Sequence, residues 1–201
     1  MSEFFEINLN DIIEELGENR AKSILSDFSC PMNEDVENFL KYKSIEFAKR
    51  GFGMTHLIFW MEGDEKELIG YYTLAIKNFE VSRDAVSKTC AKKLGTYGNY
   101  NSHKKSYLIS APLTGQLGKN FSRGNDTLIS GDELLKMALD KIRSIQRDSG
   151  GRYTYLECED KQKLIRFYEK NGFQKFGNRR LDKDEVDVDG QYLVQLMKYM
   201  G

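Results

Sequence analysis

The sequence is poor in the residues that break or cross-link a chain. Only 2 prolines occur in 201 residues, which excludes a long proline-rich linker. The 3 cysteines, Cys30, Cys90 and Cys158, stand far apart without paired spacing, so no disulfide framework is expected. With only 2 histidines, His56 and His103, they supply no recognisable metal site, and none is expected. No run approaches the roughly 18 apolar residues of a membrane-crossing helix. The opening MSEFFEINLNDIIEELGENR is acidic and holds no apolar stretch of signal-peptide size. These absences predict a protein of the reducing cytoplasm with no membrane contact.

An excess of either charge is also missing. Lys and Arg number 30 against 31 Asp and Glu, a net charge of −1, which excludes a uniformly basic nucleic-acid binder. What the chain does have is a 40% apolar content, enough for a real core in one large domain. Residues 1–201 are read as that single domain, with 1–27 as an N-terminal extension and 80–105 as a basic insertion.

The pattern alternates helical and extended periods. Leu9, Ile12, Ile13 and Leu16 give a short amphipathic helix that Gly17 interrupts, and Ile24 and Leu25 follow. One longer helix is expected over 33–50, because Val36, Phe39, Leu40 and Phe47 recur at helical spacing behind an acidic first turn. Strands 55–61 and 68–79 form a hairpin around the slightly long turn EGDEKE. Segment 80–105 holds six basic residues against Glu80 and Asp84, a local excess of +4. A strand over 106–117 contains Pro112 and Gly115, which predict a bulge or a sheet edge. The strongest helix is 131–147, with Leu134, Ala138, Ile142 and Ile145 on one face. Ser130 and Glu133 stand before it at capping-box spacing. Strand 152–158, a helix over 160–171, a strand from Phe173 and a final strand over 191–200 complete a mixed α/β sheet.

The helix over 160–171 closes on Asn171-Gly172, a C-terminal stop signal, and a strand restarts at Phe173. The run Phe167-Tyr168-Glu169-Lys170-Asn171-Gly172-Phe173 thus ends a strand–loop–helix–strand–helix order. That order resembles the GNAT family of acetyl-CoA-dependent N-acetyltransferases, whose last motif is a helix-to-strand corner of this kind. LIGYYTL, 68–74, is similar to the family's third strand. The resemblance extends over about residues 28–200 and is strongest over 131–176. It implies a mostly antiparallel sheet flanked by helices, with central strands near 107–118 and 152–158 splayed around acetyl-CoA.

The resemblance also assigns roles. Main-chain groups of Leu117, Gly118 and Lys119 are implied to bind the acetyl carbonyl and pantetheine arm. The pyrophosphate is implied to rest on N–H groups at the start of the next helix, where unpaired donors and a positive dipole end suit an anion. The family writes Arg or Gln, two residues, Gly, one residue, Gly before that helix. Anchored on Leu134-Leu135, these positions fall on Asp126, Ile129 and Gly131, so Ile129, Ser130, Gly131 and Asp132 are the implied pyrophosphate contacts. Another alignment starts the motif at Arg123-Gly124. In either, the loop departs from the family, and Asp132 and Glu133 put negative charge near the phosphates.

Tyr168 is the implied catalytic residue. An amine attacking a thioester expels a thiolate, and a phenol of pKa ~10 can protonate a leaving group of pKa ~8.5 without a steep penalty. Direct transfer needs no protein nucleophile, and Cys158 reads as a buried structural residue. No general base stands out, although Glu80, Glu157 and Glu159 are candidates. Such a site suits an α-amine, near ~7.7–8.0, better than a lysine near ~10.4. Residues 28–50 followed by LIGYYTLA are also similar to the opening of acetyltransferase toxins from bacterial toxin–antitoxin pairs, which acetylate aminoacyl-tRNA. This implies tRNA as acceptor, with an antitoxin and a homodimer as further partners. Tyr97, Tyr100 and Tyr107, interleaved with lysines, are candidates for stacking on bases. Transfer to a small-molecule, peptide or protein amine, or a GNAT-like binding module without turnover, are the alternative readings.

Overall fold

A computed structural model describes residues 3–181 and 190–201. Its strands, β1 (Glu3–Asn8), β2 (Met54–Glu62), β3 (Glu65–Ser82), β4 (Asn99–Asn101), β5 (Ser106–Lys119), β6 (Tyr153–Glu159), β7 (Gln174–Arg180) and β8 (Tyr192–Tyr199), form one mixed sheet. The order is β1-β2-β3-β5-β6-β8-β7, with β4 on β5. Helices are α1 (Leu9–Leu16), α2 (Glu18–Ser26), α3 (Glu34–Asn38), α4 (Ser44–Lys49), α5 (Lys88–Tyr97), α6 (Gly131–Ser149) and α7 (Gln162–Lys170). The chain divides into two compact units, Met1–Ala75 with Gly115–Leu139 and Ile76–Thr114 with Asp140–Gly201.

In the first unit, β1, β2 and β3 pair antiparallel, and α1 to α4 bury Leu9, Leu25, Leu40, Leu57 and Tyr71 together. Asn8 caps α1 by accepting from Asn10 N at 2.9 Å. Gly17, at φ 82, closes α1 with a bond from its N–H to Ile13 O and opens α2. The single helix expected over 33–50 is instead three segments, because a π-turn at Phe39–Lys43 separates α3 from α4. Leu40 and Ile45 are five apart, and the extra residue of the π-turn lets both face the core. Ser44 uses its buried hydroxyl to bond Leu40 O at 2.6 Å across that turn.

The expected long hairpin turn is tight, since Glu62 pairs with Glu65 around Gly63 and Asp64. Gly63, at φ 60, supplies the left-handed conformation such a turn needs. Strand β1 falls where the sequence showed only an extension. Phe5 stacks on Phe59 at 5.3 Å, so it forms through its partner.

In the second unit, Phe79, Tyr107, Ile109, Tyr153, Tyr155 and Phe176 form a separate aromatic-rich core with Ala91 and Leu94 of α5. Pro112 and Gly115 do not place β5 at an edge, because it lies between β3 and β6. Its parallel ladder with β6 is short, running only through Leu113↔Tyr155 and Thr114↔Leu156. The Thr154 hydroxyl donates to Pro112 O at 2.8 Å, satisfying a carbonyl beside the missing proline N–H. The acidic run LDKDEVDVDG, 181–190, which the sequence reads as a hairpin connection, lies, apart from its ends, outside the described residues.

Gly118 shows how tightly β5 is held in the first unit. A Cβ there would sit 2.4 Å from Val36 Cγ1 and 3.3 Å from Phe28 and Tyr71. Gly118→Ala is therefore expected to lower stability by about 1–3 kcal/mol through overpacking. Urea denaturation measures this, and a variant as stable as the parent would show that the strand can move.

Candidate active site

The corner at the end of α7 is built by local hydrogen bonds. Gly172, at φ 81, lets its N–H reach Glu169 O at 2.9 Å while Phe173 N reaches Tyr168 O at 3.1 Å. Lys198 Nζ donates to Asn171 O at 2.5 Å, placing a cation on the exposed carbonyl end of the helix. Burial, and then the charge of Arg143, hold that lysine below its ordinary value. The Tyr168 ring packs edge-on against Phe167 at 5.0 Å and Phe173 at 5.8 Å. Its hydroxyl makes no hydrogen bond to another described residue. Burial, with a smaller contribution from Cys158, pushes the phenol well above its ordinary value, so it stays protonated at neutral pH. Burial also pushes the Cys158 thiol up to about 12, which leaves it a poor nucleophile.

In the first unit the end of β5 is fixed by Asn120, which is buried. Its N–H bonds Ile69 O at 2.8 Å, and its Nδ2 bonds Leu68 O at 2.7 Å. Strand alternation then turns the main-chain groups of Lys119 away from β3. Lys119 Nζ reaches forward to Asp126 O at 2.7 Å. The loop passes through a 3₁₀ segment, Ser122–Thr127, in which Arg123 adopts φ 55 and Gly124 φ 78. Arg123, the alternative motif start, is drawn onto Asp27 at 2.9 Å and Glu67 at 3.4 Å beside a groove of about 260 Å³.

Ile129 is a core residue, 2% exposed, so only its main chain is offered to a ligand. The capping box forms as the spacing indicated. Ser130 N donates to Glu133 Oε2 at 2.8 Å, and Glu133 N donates to Ser130 Oγ at 3.1 Å. The Ser130 amide is thus occupied by a carboxylate in the position where the resemblance puts a phosphate.

The acids named as bases are all engaged. Glu80 accepts from Ser106 Oγ and pairs with Lys104 at 3.2 Å. Glu157 accepts from Arg179 at 2.7 Å and Gln195 at 2.8 Å, and Glu159 pairs with Lys161 at 2.9 Å. Sequence reasoning missed a different acid, Asp35 of α3, which accepts from Gln116 Nε2 of β5 at 2.9 Å. No local pattern marks this pair, because its members lie 81 residues apart.

In the basic segment, Tyr107 is buried and tilts onto Tyr100 at 4.9 Å, so it is not open to a base. Tyr97 sets its edge toward Tyr153, while Lys93 covers the Tyr199 ring at 4.4 Å. Among the described residues no helix is long and apolar enough to cross a membrane, and no cluster of candidate metal ligands occurs.

A mixed, mostly antiparallel sheet with a two-pair parallel junction, α6 before β6 and the α7 corner after it, is the GNAT fold. Solved structures share it at low identity. A tyrosine-to-phenylalanine mutant of KacT matches with a TM-score of 0.62 and 17% identity over 95% of this chain and 93% of its own. AtaT complexed with acetyl-methionyl-tRNAfMet gives 0.61 and 20%, covering 96% and 94%. A mutant AtaT toxin bound to acetyl-CoA and the C-terminus of the antitoxin AtaR gives 0.54 and 16%, covering 88% and 85%. No family model matches the chain, and no curated protein does.

The capping box has a pH signature. The Ser130 N–H, and then its hydroxyl, hold the Glu133 carboxyl below its ordinary value of 4.5. Its stabilisation is complete above that value and is lost as pH falls through the lower folded value. Glu133→Gln keeps the capping geometry but cannot titrate. It is expected to match the parent within about 1 kcal/mol at neutral pH, since the site is exposed. Below pH 4.5 the parent's melting temperature should fall more steeply than the variant's. Parallel pH profiles from calorimetry would refute the assignment.

Proposed function

We propose that this chain is an acetyl-CoA-dependent N-acetyltransferase working by direct transfer, with Tyr168 as general acid. The observation that carries the reading is the Tyr168 hydroxyl. It belongs to the GNAT corner, and no described residue takes its proton. Main-chain groups of Leu117, Gly118 and Lys119 are assigned to the acetyl and pantetheine arm. The turned-away main chain of Lys119 fits a narrow arm lying along the strand. Ile129, Ser130, Gly131 and Asp132 are assigned to the pyrophosphate. When the amine nitrogen bonds the acetyl carbon and the C–S bond breaks, Tyr168 gives its proton to the leaving sulfur.

The acceptor we assign is the α-amine of an aminoacyl-tRNA. AtaT, of the same fold, is described with acetyl-methionyl-tRNAfMet, and the basic 80–105 segment offers lysines to a polyanion. An antitoxin partner and a homodimer belong to this reading, as does a cytoplasmic setting, in keeping with three free cysteines. A small-molecule, peptide or protein amine is the alternative acceptor. One observation favours a binding module without turnover instead. The Ser130 N–H is already bonded to Glu133, which weakens the pyrophosphate seat.

Tyr168→Phe tests the chemistry. It is expected to lower kcat by roughly 10²–10⁴-fold with little change in the Kd for acetyl-CoA measured by titration calorimetry. Unchanged turnover would remove the general acid, and no acetyl-CoA binding by the parent would remove the enzyme. The acceptor is tested by salt. Acetylation of charged tRNA should fall steeply as salt rises. Lys92, Lys93, Lys104 and Lys105 replaced together by alanine should raise its KM by about tenfold or more. Salt-independent transfer would point to the small-amine reading.

A further inference from the structure

The acetyltransferase reading leaves the acceptor's amine without a protein partner, and Glu80, Glu157 and Glu159 are all committed elsewhere. Asp35 is differently placed. It is half-buried on the first turn of α3, and its carboxylate accepts from Gln116 Nε2 at 2.9 Å. Among the described residues it has no cation partner. Its neighbour Glu37, by contrast, is tied to Lys41 at 2.7 Å and to Cys30 N at 2.7 Å. The position is rigid, because Tyr71, fully buried on β3, donates its hydroxyl to Val36 O at 2.6 Å. Asn33 caps the same turn by accepting from Val36 N at 3.2 Å.

The partner residue is equally telling. Gln116 stands on β5 immediately before Leu117, Gly118 and Lys119, the residues assigned to the thioester arm. Two residues earlier on that strand, Thr114 is 4% exposed and its hydroxyl has no hydrogen-bond partner among the described residues. A buried hydroxyl left unpaired costs about 1–3 kcal/mol, which a polar ligand would offset. An uncompensated carboxylate, oriented by an amide beside the acyl-binding strand, is chemistry for an ammonium group.

We propose that Asp35, oriented by Gln116, binds the acceptor's protonated amino group directly and selects an α-amine. This rests on the acetyltransferase reading and extends it to the acceptor's reacting end. The carboxylate receives the ammonium through charge-assisted hydrogen bonds. Two protons leave nitrogen as ammonium becomes amide. One passes through Asp35 to water before the N–C bond forms. The other restores the Tyr168 phenol after its own proton has gone to the sulfur of the broken C–S bond.

Binding tests this without turnover. Methioninamide and its uncharged counterpart N-acetylmethioninamide are titrated into the full chain with coenzyme A at about pH 6.5, where an α-amine is mostly protonated. The parent should prefer the charged probe by about tenfold or more. Asp35→Asn should lose that preference and Asp35→Glu retain part of it. Gln116→Leu should weaken it, and acetyl-CoA affinity should stay unchanged in all three. A parent that does not prefer the charged probe, or a folded Asp35→Asn that still does, would overturn the proposal. A parallel assay of acetyl transfer by the parent separates the two readings. Failure to transfer to any amine counts against the enzyme, whereas the charge preference judges Asp35.

Discussion

The side chain of Asn120 is a polar group buried where it must find every partner inside the protein, and the first unit is arranged around that demand. Its Oδ1 accepts from Ser29 N at 2.9 Å and Ser122 N at 3.0 Å, while Nδ2 and N bond successive carbonyls of β3. Removing that side chain would orphan the N–H groups of Ser29 and Ser122, each at about 1–3 kcal/mol. The same bonds decide where β5 stops and where the loop toward α6 begins. They also fix the approach to α3, since Phe121 N bonds Ser29 O at 2.7 Å. The Gly118–Val36 packing and the Gln116–Asp35 bond both depend on that placement.

Burial has a second role at the α7 corner, in the other unit. The same desolvation that makes Tyr168 a good packing residue raises its phenol above the ordinary value. In this structure it is therefore a weaker acid than a free tyrosine, and it acts as a general acid only if a bound thioester stabilises its phenolate. Burial also removes Cys158 from competition, because a thiol held near 12 forms almost no thiolate at neutral pH. Lys198 adds a further condition. Its ammonium sits on the carbonyl that ends the corner, so losing that charge would loosen the turn holding the Tyr168–Phe173 pair.

The legible parts of this molecule were those with local causes. The capping box of Ser130 and Glu133 and the Asn171-Gly172 stop depend on residues within one turn, so their spacing in sequence was their spacing in space. The features that escaped have distant causes. Strand β1 exists because β2 offers it a ladder, and the π-turn exists because Leu40 and Ile45 must share a core. Tyr107 read as available for stacking, yet Tyr100 and the second core claim it. The candidate site followed the same division. Tyr168 stood out through its local corner, whereas Asp35 acquired meaning only when folding brought Gln116 to it.

Charge in this chain is therefore better understood by which groups remain uncompensated than by totals. The net charge of −1 says little, because Glu80, Glu133, Glu157 and Glu159 are each bonded to a neighbour that offsets or holds them. Among the described groups without an ion-pair partner are the exposed Lys88, Lys92 and Lys105 of the basic segment and the Asp35 carboxylate, which has only the neutral Gln116 amide. Their signs are opposite, as an acceptor with a phosphate body and an ammonium end would require. A carboxylate can hold an ammonium tightly but is a far weaker base than a lysine side chain. An Asp35 that binds the acceptor's ammonium would therefore discriminate through the amine's own basicity. An α-amine releases its proton near neutral pH at little cost, while a lysine held by the same group would remain protonated and unreactive.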